Sequence, residues 1–410
     1  MCMTIFCWKK RKSIFAIGLV LLILLCFCFK NRINFYANEN LSMYSSAYAL
    51  TDGSTGRILV GKEENTAMAN ASTTKILTCI LTLEKANIDD DVLVSSKAAS
   101  QPKVHLGMKE KEIYPLKDLL YGLMLESYND CAVAIAEHVG GSVEQFAKLM
   151  NEKAREIGCE NTYFITPNGL DAEDDFSFHH STAADLCKIM AYCTWESSMK
   201  EEFLSITQTR NYSASSNGKT YSFVNHNAFL NQMDGVLSGK TGFTNKAGYC
   251  YVAAMEVNGE KYCIALLACG WPNNKTYKWK DARSLFEYGM EQYDLKTITI
   301  KASNLQMPIL GYATSAKFKE LNQETNLCLY TQKKEYNLLM SEMDFIDTKI
   351  ELDTKKTLPI KKEQKIGVCK IYLNDLLLDE IPILSRQNAY MWGWKDAIHT
   401  IFYQFLTFSL

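Results

Sequence analysis

Ser72 and Lys75 stand three residues apart in Ala71-Ser72-Thr73-Thr74-Lys75, directly ahead of the apolar run Ile76-Leu77-Thr78-Cys79-Ile80-Leu81. On a helix that spacing turns both side chains to one side, and the run predicts burial that would hold them rigidly. A serine hydroxyl is a weak nucleophile at neutral pH. An amine kept neutral by burial or by a neighbouring cation can take its proton, so this pair could activate a serine without histidine. The first turn of a helix also directs free N–H groups toward developing negative charge. Spacing alone is not specific, because Ser100-Gln101-Pro102-Lys103, Ser197-Ser198-Met199-Lys200 and Ser216-Asn217-Gly218-Lys219 repeat it. Pro102 disfavours a helix, Asn217-Gly218 reads as a turn, and Ser197 lies in a polar stretch. Only Ser72 opens an apolar helix.

Two further stretches carry usable chemistry. Ser127-Tyr128-Asn129 falls between two helical patterns, Tyr114 to Leu125 and Asp130 to Val139. In a tight interhelical loop Ser127 and Asn129 can point one way, offering a hydroxyl for proton relay and an amide for a substrate carbonyl. Ser215-Ser216-Asn217 has the same form, so the triplet alone is weak. Ser238-Gly239-Lys240-Thr241-Gly242-Phe243-Thr244 leads into a predicted hairpin, Ala247 to Glu256, Asn258-Gly259 and Lys261 to Cys269. Lys240 and Thr241 offer a cation and a hydroxyl to a carboxylate, and Gly242 would let a substrate backbone lie along the strand edge. The competing account is an edge strand with a solvated lysine, although Lys-Thr-Gly occurs only once in the chain.

The elements that must position these residues belong to a chain of 410 residues with 47% hydrophobic and 11% aromatic content, enough for a large core and two domains. A net charge of -2 gives no basis for a nucleic-acid partner. Lys9-Lys10-Arg11-Lys12 precede an uncharged, mostly apolar run from Ser13 to Phe29, with Lys30 and Arg32 after it, so the heavier positive flank should stay cytosolic and the rest be exported. Residues 1–37 therefore predict a signal peptide or a membrane anchor. Phe35-Tyr36-Ala37 puts a bulky residue where cleavage prefers a small one, which favours the anchor. Of the 14 cysteines, Cys79, Cys131, Cys187, Cys250, Cys263 and Cys269 sit in apolar patterns, as small hydrophobes rather than as a disulfide framework. With no CxxC or HExxH motif and six scattered histidines, neither a metal site nor a cofactor is implied.

In this order, Ser72-Thr73-Thr74-Lys75, Ser127-Tyr128-Asn129 and Lys240-Thr241-Gly242 resemble the three motifs of penicillin-recognising serine enzymes. Thr162-Tyr163-Phe164-Ile165-Thr166-Pro167-Asn168-Gly169-Leu170, His179-His180-Ser181-Thr182-Ala183-Ala184-Asp185 and Ala247-Gly248 narrow the resemblance to the low-molecular-mass D-alanyl-D-alanine carboxypeptidases, over about residues 45 to 290. The resemblance implies an α/β (α+β) catalytic domain at 38–292, an antiparallel sheet with flanking helices and a helical subregion. It implies that Ser72 attacks the penultimate D-alanine carbonyl, Lys75 accepts its proton and Ser127 relays a proton to the departing D-alanine. Backbone N–H groups of Ser72 and Phe243 would form the oxyanion hole, Asn129 would hold the peptide, and Lys240 with Thr241, beside Gly242, the terminal carboxylate. The implied partners are peptidoglycan stem peptides, β-lactam antibiotics and the bacterial membrane, on its extracytoplasmic face.

One departure from the family is that Asp234-Gly235 is separated from Lys-Thr-Gly by Val236-Leu237-Ser238-Gly239, which leaves the start of that strand open. A β-lactamase would need a water-activating group, and no convincing Glu-x-x-x-Asn lies between the second and third motifs. A D,D-endopeptidase would share the same three motifs, and a catalytically silent wall-binding module could retain them. His179 and His180 could line the cleft, but a structural role beside a helix start is the stronger expectation, since the lysine mechanism needs no histidine.

Beyond about Tyr293 short strand-like runs follow, Ile298-Thr299-Ile300, Leu327 to Tyr330, Thr348 to Leu352 and Gly367 to Tyr372. They predict a small β-domain at 293–386 resembling the family's C-terminal domain. Residues 387–410 then predict an amphipathic helix with Trp394, Ala397, Ile398, Ile401, Phe402, Phe405 and Phe408 on one face, suited to a bilayer interface or to packing on the β-domain.

Overall fold

The computed structural model describes residues 41–309, 312–313, 325–353, 356–390 and 394–407. The leader run from Ser13 to Phe29 lies outside them. Five antiparallel strands make the main sheet: β1 (Ala47–Asp52), β2 (Ile58–Lys62), β3 (Val236–Thr244), β4 (Gly248–Val257) and β5 (Glu260–Leu267). Their order is β2-β1-β5-β4-β3, which puts β3 at an edge. The β4–β5 hairpin turns on Asn258 (φ 53°) and Gly259 (φ 83°), the left-handed pair that a two-residue hairpin of this hand requires. In β3 the register shifts between Val236 (opposite Met255) and Ser238 (opposite Ala254). The long spacing between Asp234-Gly235 and Lys240 is thus carried by an extended β3 with a bulge at Leu237, which restores Lys240 to its place opposite Val252.

Strand periodicity divides two cores. Cys250, Val252 and Ala254 of β4 face the helical side, while Tyr251, Ala253 and Met255 face the other. The helical side holds α1 (Lys75–Lys85), α2 (Asn129–Gly140), α3 (Val143–Ile157) and α4 (Ala183–Ala191). From Lys75 to Leu83 every residue of α1 is buried. Ile76, Leu77, Ile80 and Leu81 contribute about 1.5–3 kcal/mol each by leaving water. Thr82 donates to Thr78 O, and Thr78 to Pro167 O, so the polar members of α1 are satisfied internally. Against the opposite face, α5 (Tyr277–Gln292) packs Leu285 and Phe286 into a cluster with Leu50 and Tyr262. Every cysteine among the described residues is a free thiol, and eight of the ten are buried.

The C-terminal part is β6 (Asp294–Ile300), β7 (Leu305–Ile309), β8 (Thr325–Thr331), β9 (Lys334–Met340), β10 (Ile346–Leu352), β11 (Lys365–Leu373) and β12 (Leu376–Ser385). They form a five-stranded sheet, β7-β8-β12-β11-β10, and a separate β6–β9 pair. The four expected strands fall in β6, β8, β10 and β11, and β7, β9 and β12 are additional to them. Arg57, in the β1–β2 turn, reaches into this part: its guanidinium forks onto Asp344 at 2.9 and 3.0 Å, donates to Leu339 O at 2.6 Å and lies over the Tyr293 ring. Ala389 and Tyr390, expected in the terminal helix, instead pair with Ala313 and Tyr312, and Ala389 is buried. The helix α6 runs Trp394–Thr407 and exposes Trp394, Ile398, Ile401, Phe402, Phe405 and Leu406. Among the described residues, no helix is long and apolar enough to cross a membrane.

Candidate active site

Ser72 lies in a 3₁₀ turn, Ala71–Thr74, that runs directly into α1. Lys75 Nζ is 2.8 Å from Ser72 Oγ, 3.1 Å from Asn129 Oδ1 and 2.6 Å from Asn168 O. Complete burial pushes the Lys75 ammonium well below the ordinary lysine range, and the charge of Lys240 pushes the same way against weaker opposition from Cys131 and Asp130. A neutral amine has two N–H bonds and one lone pair. The two carbonyl oxygens take the N–H bonds, and the lone pair is left facing the Ser72 hydroxyl. The arrangement can therefore remove the serine proton.

The second motif is positioned by a change of helix type. After the helix Leu116–Tyr121 the chain widens into a π-turn, Gly122–Glu126, and Ser127 follows in the left-handed region at φ 66° and ψ 31°. Widened turns and left-handed non-glycine residues both concentrate at functional sites. Ser127 Oγ is buried and has no hydrogen-bond partner among the described residues, so its bonding capacity is free for a reactant. Asn129 opens α2. Its Oδ1 faces Lys75, its Nδ2 donates to Pro102 O at 3.1 Å and its backbone N–H to Val104 O at 2.8 Å. Through Oδ1 the Asn129 side chain thus holds the lysine, a contact its type and spacing did not announce. Asp130 accepts the N–H groups of Leu106, Gly107 and Met108 and so braces the Pro102–Val104 segment.

The third motif lies on β3 beside the nucleophile turn. Lys240 is 3% exposed, with Nζ donating to Thr241 O at 3.0 Å. Desolvation pushes its ammonium down to about 7. Thr241 and Phe243 line the cleft, whereas Lys240 and Lys75 sit behind its wall. Gly242 lines the cleft as well, and on its Cα side the nucleophile turn approaches closely. A Cβ at Gly242 would stand 2.9 Å from Ser72 N, 3.1 Å from Ala71 Cβ and 3.2 Å from Asn70 O.

The cleft itself encloses about 350 Å³ between Ser72, Ser127, Asn129, Leu170, Thr241 and Phe243, among others. Sequence reasoning assigned no role to five contributors. Asn168 acts through its backbone carbonyl, which no residue type announces; Gly169, at φ 80°, lies so close to the turn that a Cβ would be 1.9 Å from Ala71 O. Glu126 and His226 pair at 2.9 Å on the rim, where Glu126 also accepts Val224 N–H. Lys278 lines the cleft with its Nζ over the Tyr249 and Trp279 rings. The decoy Ser197 donates to Glu84, and Ser216 to Lys219 is a hairpin turn. Among the described residues no group of three or more histidine, cysteine or acidic side chains could hold a metal.

The sequence signature of D-alanyl-D-alanine carboxypeptidase matches residues 34–268. The chain belongs to the D-alanyl-D-alanine carboxypeptidase family. Residues 323–389, within the β-rich C-terminal part, match the C-terminal domain of penicillin-binding protein 5. This carboxypeptidase is 28% identical to the D-alanyl-D-alanine carboxypeptidase DacF of Bacillus subtilis over 386 residues, covering 93% of this chain and 94% of that protein. It is 26% identical to DacD of Escherichia coli over 378 residues, 86% of this chain and 91% of the other. In fold it resembles the crystal structure of DacD from Francisella tularensis, with a TM-score of 0.64 at 22% identity over 87% of this chain and 95% of that one. Cefotaxime-bound penicillin-binding protein D2 of Listeria monocytogenes aligns with a TM-score of 0.54 and 26% identity over 62% of this chain and all (100%) of that one. The carboxypeptidase is a serine hydrolase of the β-lactamase/D,D-peptidase fold.

Proposed function

We propose that this enzyme removes the terminal D-alanine from peptidoglycan stem pentapeptides through an acyl-enzyme on Ser72. The observation that carries the proposal is the Lys75 amine, buried, flanked by two carbonyl acceptors and 2.8 Å from Ser72 Oγ. The Ser72 proton passes to the Lys75 lone pair as Oγ bonds to the penultimate D-alanine carbonyl carbon. Backbone N–H groups of Ser72 and Phe243 receive the oxyanion. When the C–N bond breaks, Ser127 Oγ relays the proton held by Lys75 to the departing amine, and water then cleaves the ester with Lys75, neutral once more, as base. Thr241, backed by the positive charge of Lys240, receives the terminal carboxylate at the edge of β3, and Asn129 keeps both the lysine and the peptide in register. Penicillin acylates the same serine because its amide and carboxylate repeat those of the D-alanyl-D-alanine end.

Residues 38–292 constitute the catalytic unit of this proposal and 293–386 a spacer. The exposed apolar face of α6, together with the leader at 1–37, supports an enzyme held at the extracytoplasmic membrane surface.

Intact mass after mixing with benzylpenicillin tests the chemistry. An adduct lasting minutes, absent in Ser72→Ala, together with D-alanine release by the wild type alone, is expected. Rapid penicillin turnover without a lasting adduct would point instead to a lactamase.

A further inference from the structure

His179 stands 105 residues from Thr74 in sequence, yet its Nε2 is 2.9 Å from Thr74 Oγ1, two residues beyond the nucleophile. The ring is 2% exposed and does not line the cleft. On its other side Nδ1 accepts two backbone N–H groups, from Ile165 at 3.0 Å and Thr166 at 3.3 Å. An imidazole nitrogen that accepts carries no proton, so the neutral ring holds its hydrogen on Nε2 and donates it to Thr74. The Thr74 hydroxyl agrees with that assignment. Its one hydrogen goes to Ala71 O at 2.9 Å, and its two lone pairs take the His179 N–H and Asn70 Nδ2 at 2.9 Å. Each donor in the chain has one acceptor.

The two ends of this bridge are the two halves of the catalytic pair's support. At one end is the turn Asn70 to Thr74, which carries Ser72. At the other begins the loop Ile165 to Gly169, whose Asn168 O is 2.6 Å from Lys75 Nζ. The Thr78 hydroxyl ties the same loop to α1 at Pro167 O, below the lysine, and so does not reach the nucleophile turn itself. We infer that His179 is a positioning residue for the reaction: as the Nε2–H tautomer it clamps the serine-bearing turn to the loop that orients the general base. The inference rests on Ser72 and Lys75 being nucleophile and base. The ring stays neutral because burial first, then any positive charge on the neighbouring His180 or Lys75, pushes its acid form down to about 3. Protonation would also turn a third N–H against the two from Ile165 and Thr166. The groups that act on Lys75 itself are Lys240, Cys131 and Asp130, none of which the bridge touches.

The test is the second-order rate of acylation by benzylpenicillin from pH 5 to 10, with melting temperature measured alongside. In His179→Leu the rate should fall about a hundredfold, as displacement of a catalytic pair by roughly 1 Å does. Its acid limb should move to lower pH, because the Lys75 ammonium loses a carbonyl acceptor. His179→Gln, which offers an amide N–H to Thr74 and a carbonyl to Ile165 N–H, should recover most of the rate. Thr74→Val removes the acceptor while keeping the shape, and serves if the leucine variant does not fold. It should be slowed similarly, and combining it with His179→Leu should cost no more than the larger single effect. A leucine variant with the wild-type acid limb or one shifted upward, a glutamine variant as slow as leucine, or additive losses would overturn the inference. If the wild type forms no adduct on Ser72, the parent mechanism fails and takes this inference with it; normal wild-type acylation with an unaffected leucine variant removes the inference alone.

Discussion

Replacing Gly169 by alanine should disable acylation with only a modest loss of fold. The new Cβ would stand 1.9 Å from Ala71 O, 2.4 Å from Ala71 C and 2.9 Å from Thr74 Oγ1. The nearest of these is backbone and cannot rotate away, so relief to about 3 Å requires the loop and the turn to separate by roughly 1 Å. That separation draws Asn168 O off Lys75 Nζ or tilts Ser72 away from it, and misplacement on this scale costs about a hundredfold in rate, or ~2.7 kcal/mol of barrier. The left-handed φ of 80° adds a further ~1–2 kcal/mol of conformational strain to the folded state. The assay is the benzylpenicillin acylation rate together with urea denaturation. A variant that acylates within threefold of the wild type would refute the argument that this backbone contact sets the geometry of the pair.

Two further outcomes follow from the charges. kcat/KM for a D-alanyl-D-alanine peptide should rise with pH as Lys75 loses its proton, and fall above about 7 as free Lys240 loses the charge that attracts the carboxylate. Lys240→Gln should abolish the alkaline limb and move the acid limb to higher pH, since the charge of Lys240 helps to keep Lys75 neutral; a pH–rate profile decides this. Arg57→Ala leaves Asp344 buried without its partner, the two side chains being 7% and 3% exposed, and should cost about 3–5 kcal/mol in urea denaturation. Burial alone would raise the Asp344 carboxyl, but Arg57 and the Ser341 N–H hold it below the ordinary range. Its stabilisation is therefore complete above the unfolded carboxylate value and is lost as pH falls through the depressed one, a slope that the alanine variant should lack.

What could be read from the sequence was local. Ser72, Lys75, Ser127, Asn129, Lys240 and Thr241 declare themselves by type and spacing, and α1 and the Asn258-Gly259 hairpin follow from patterns a few residues long. What escaped was of two kinds. Asn168 contributes a carbonyl common to every residue, and the role of Gly242 depends on which backbone meets it. The π-turn that throws Ser127 into a left-handed conformation has no periodic signature, because its sequence reads as a continuing helix. His179 and Arg57 make their decisive contacts 105 and 287 residues away, and their neighbours in sequence do not predict either. The extra residues before Lys240 gave no hint that a bulge would return β3 to register.

The buried thiols set a race. In the native state Cys79, Cys187, Cys193 and Cys263 are enclosed, and desolvation raises each above the ordinary cysteine range, so oxidants find little thiolate to attack. The unfolded chain has no such shelter, and a covalent link between two sulfurs that belong to a packed interior would leave the chain unable to close its core. Exported as proposed above, a polypeptide of this composition must collapse before its surroundings can cross-link it, so its productive yield is governed by the ratio of two rates rather than by the depth of its final energy well.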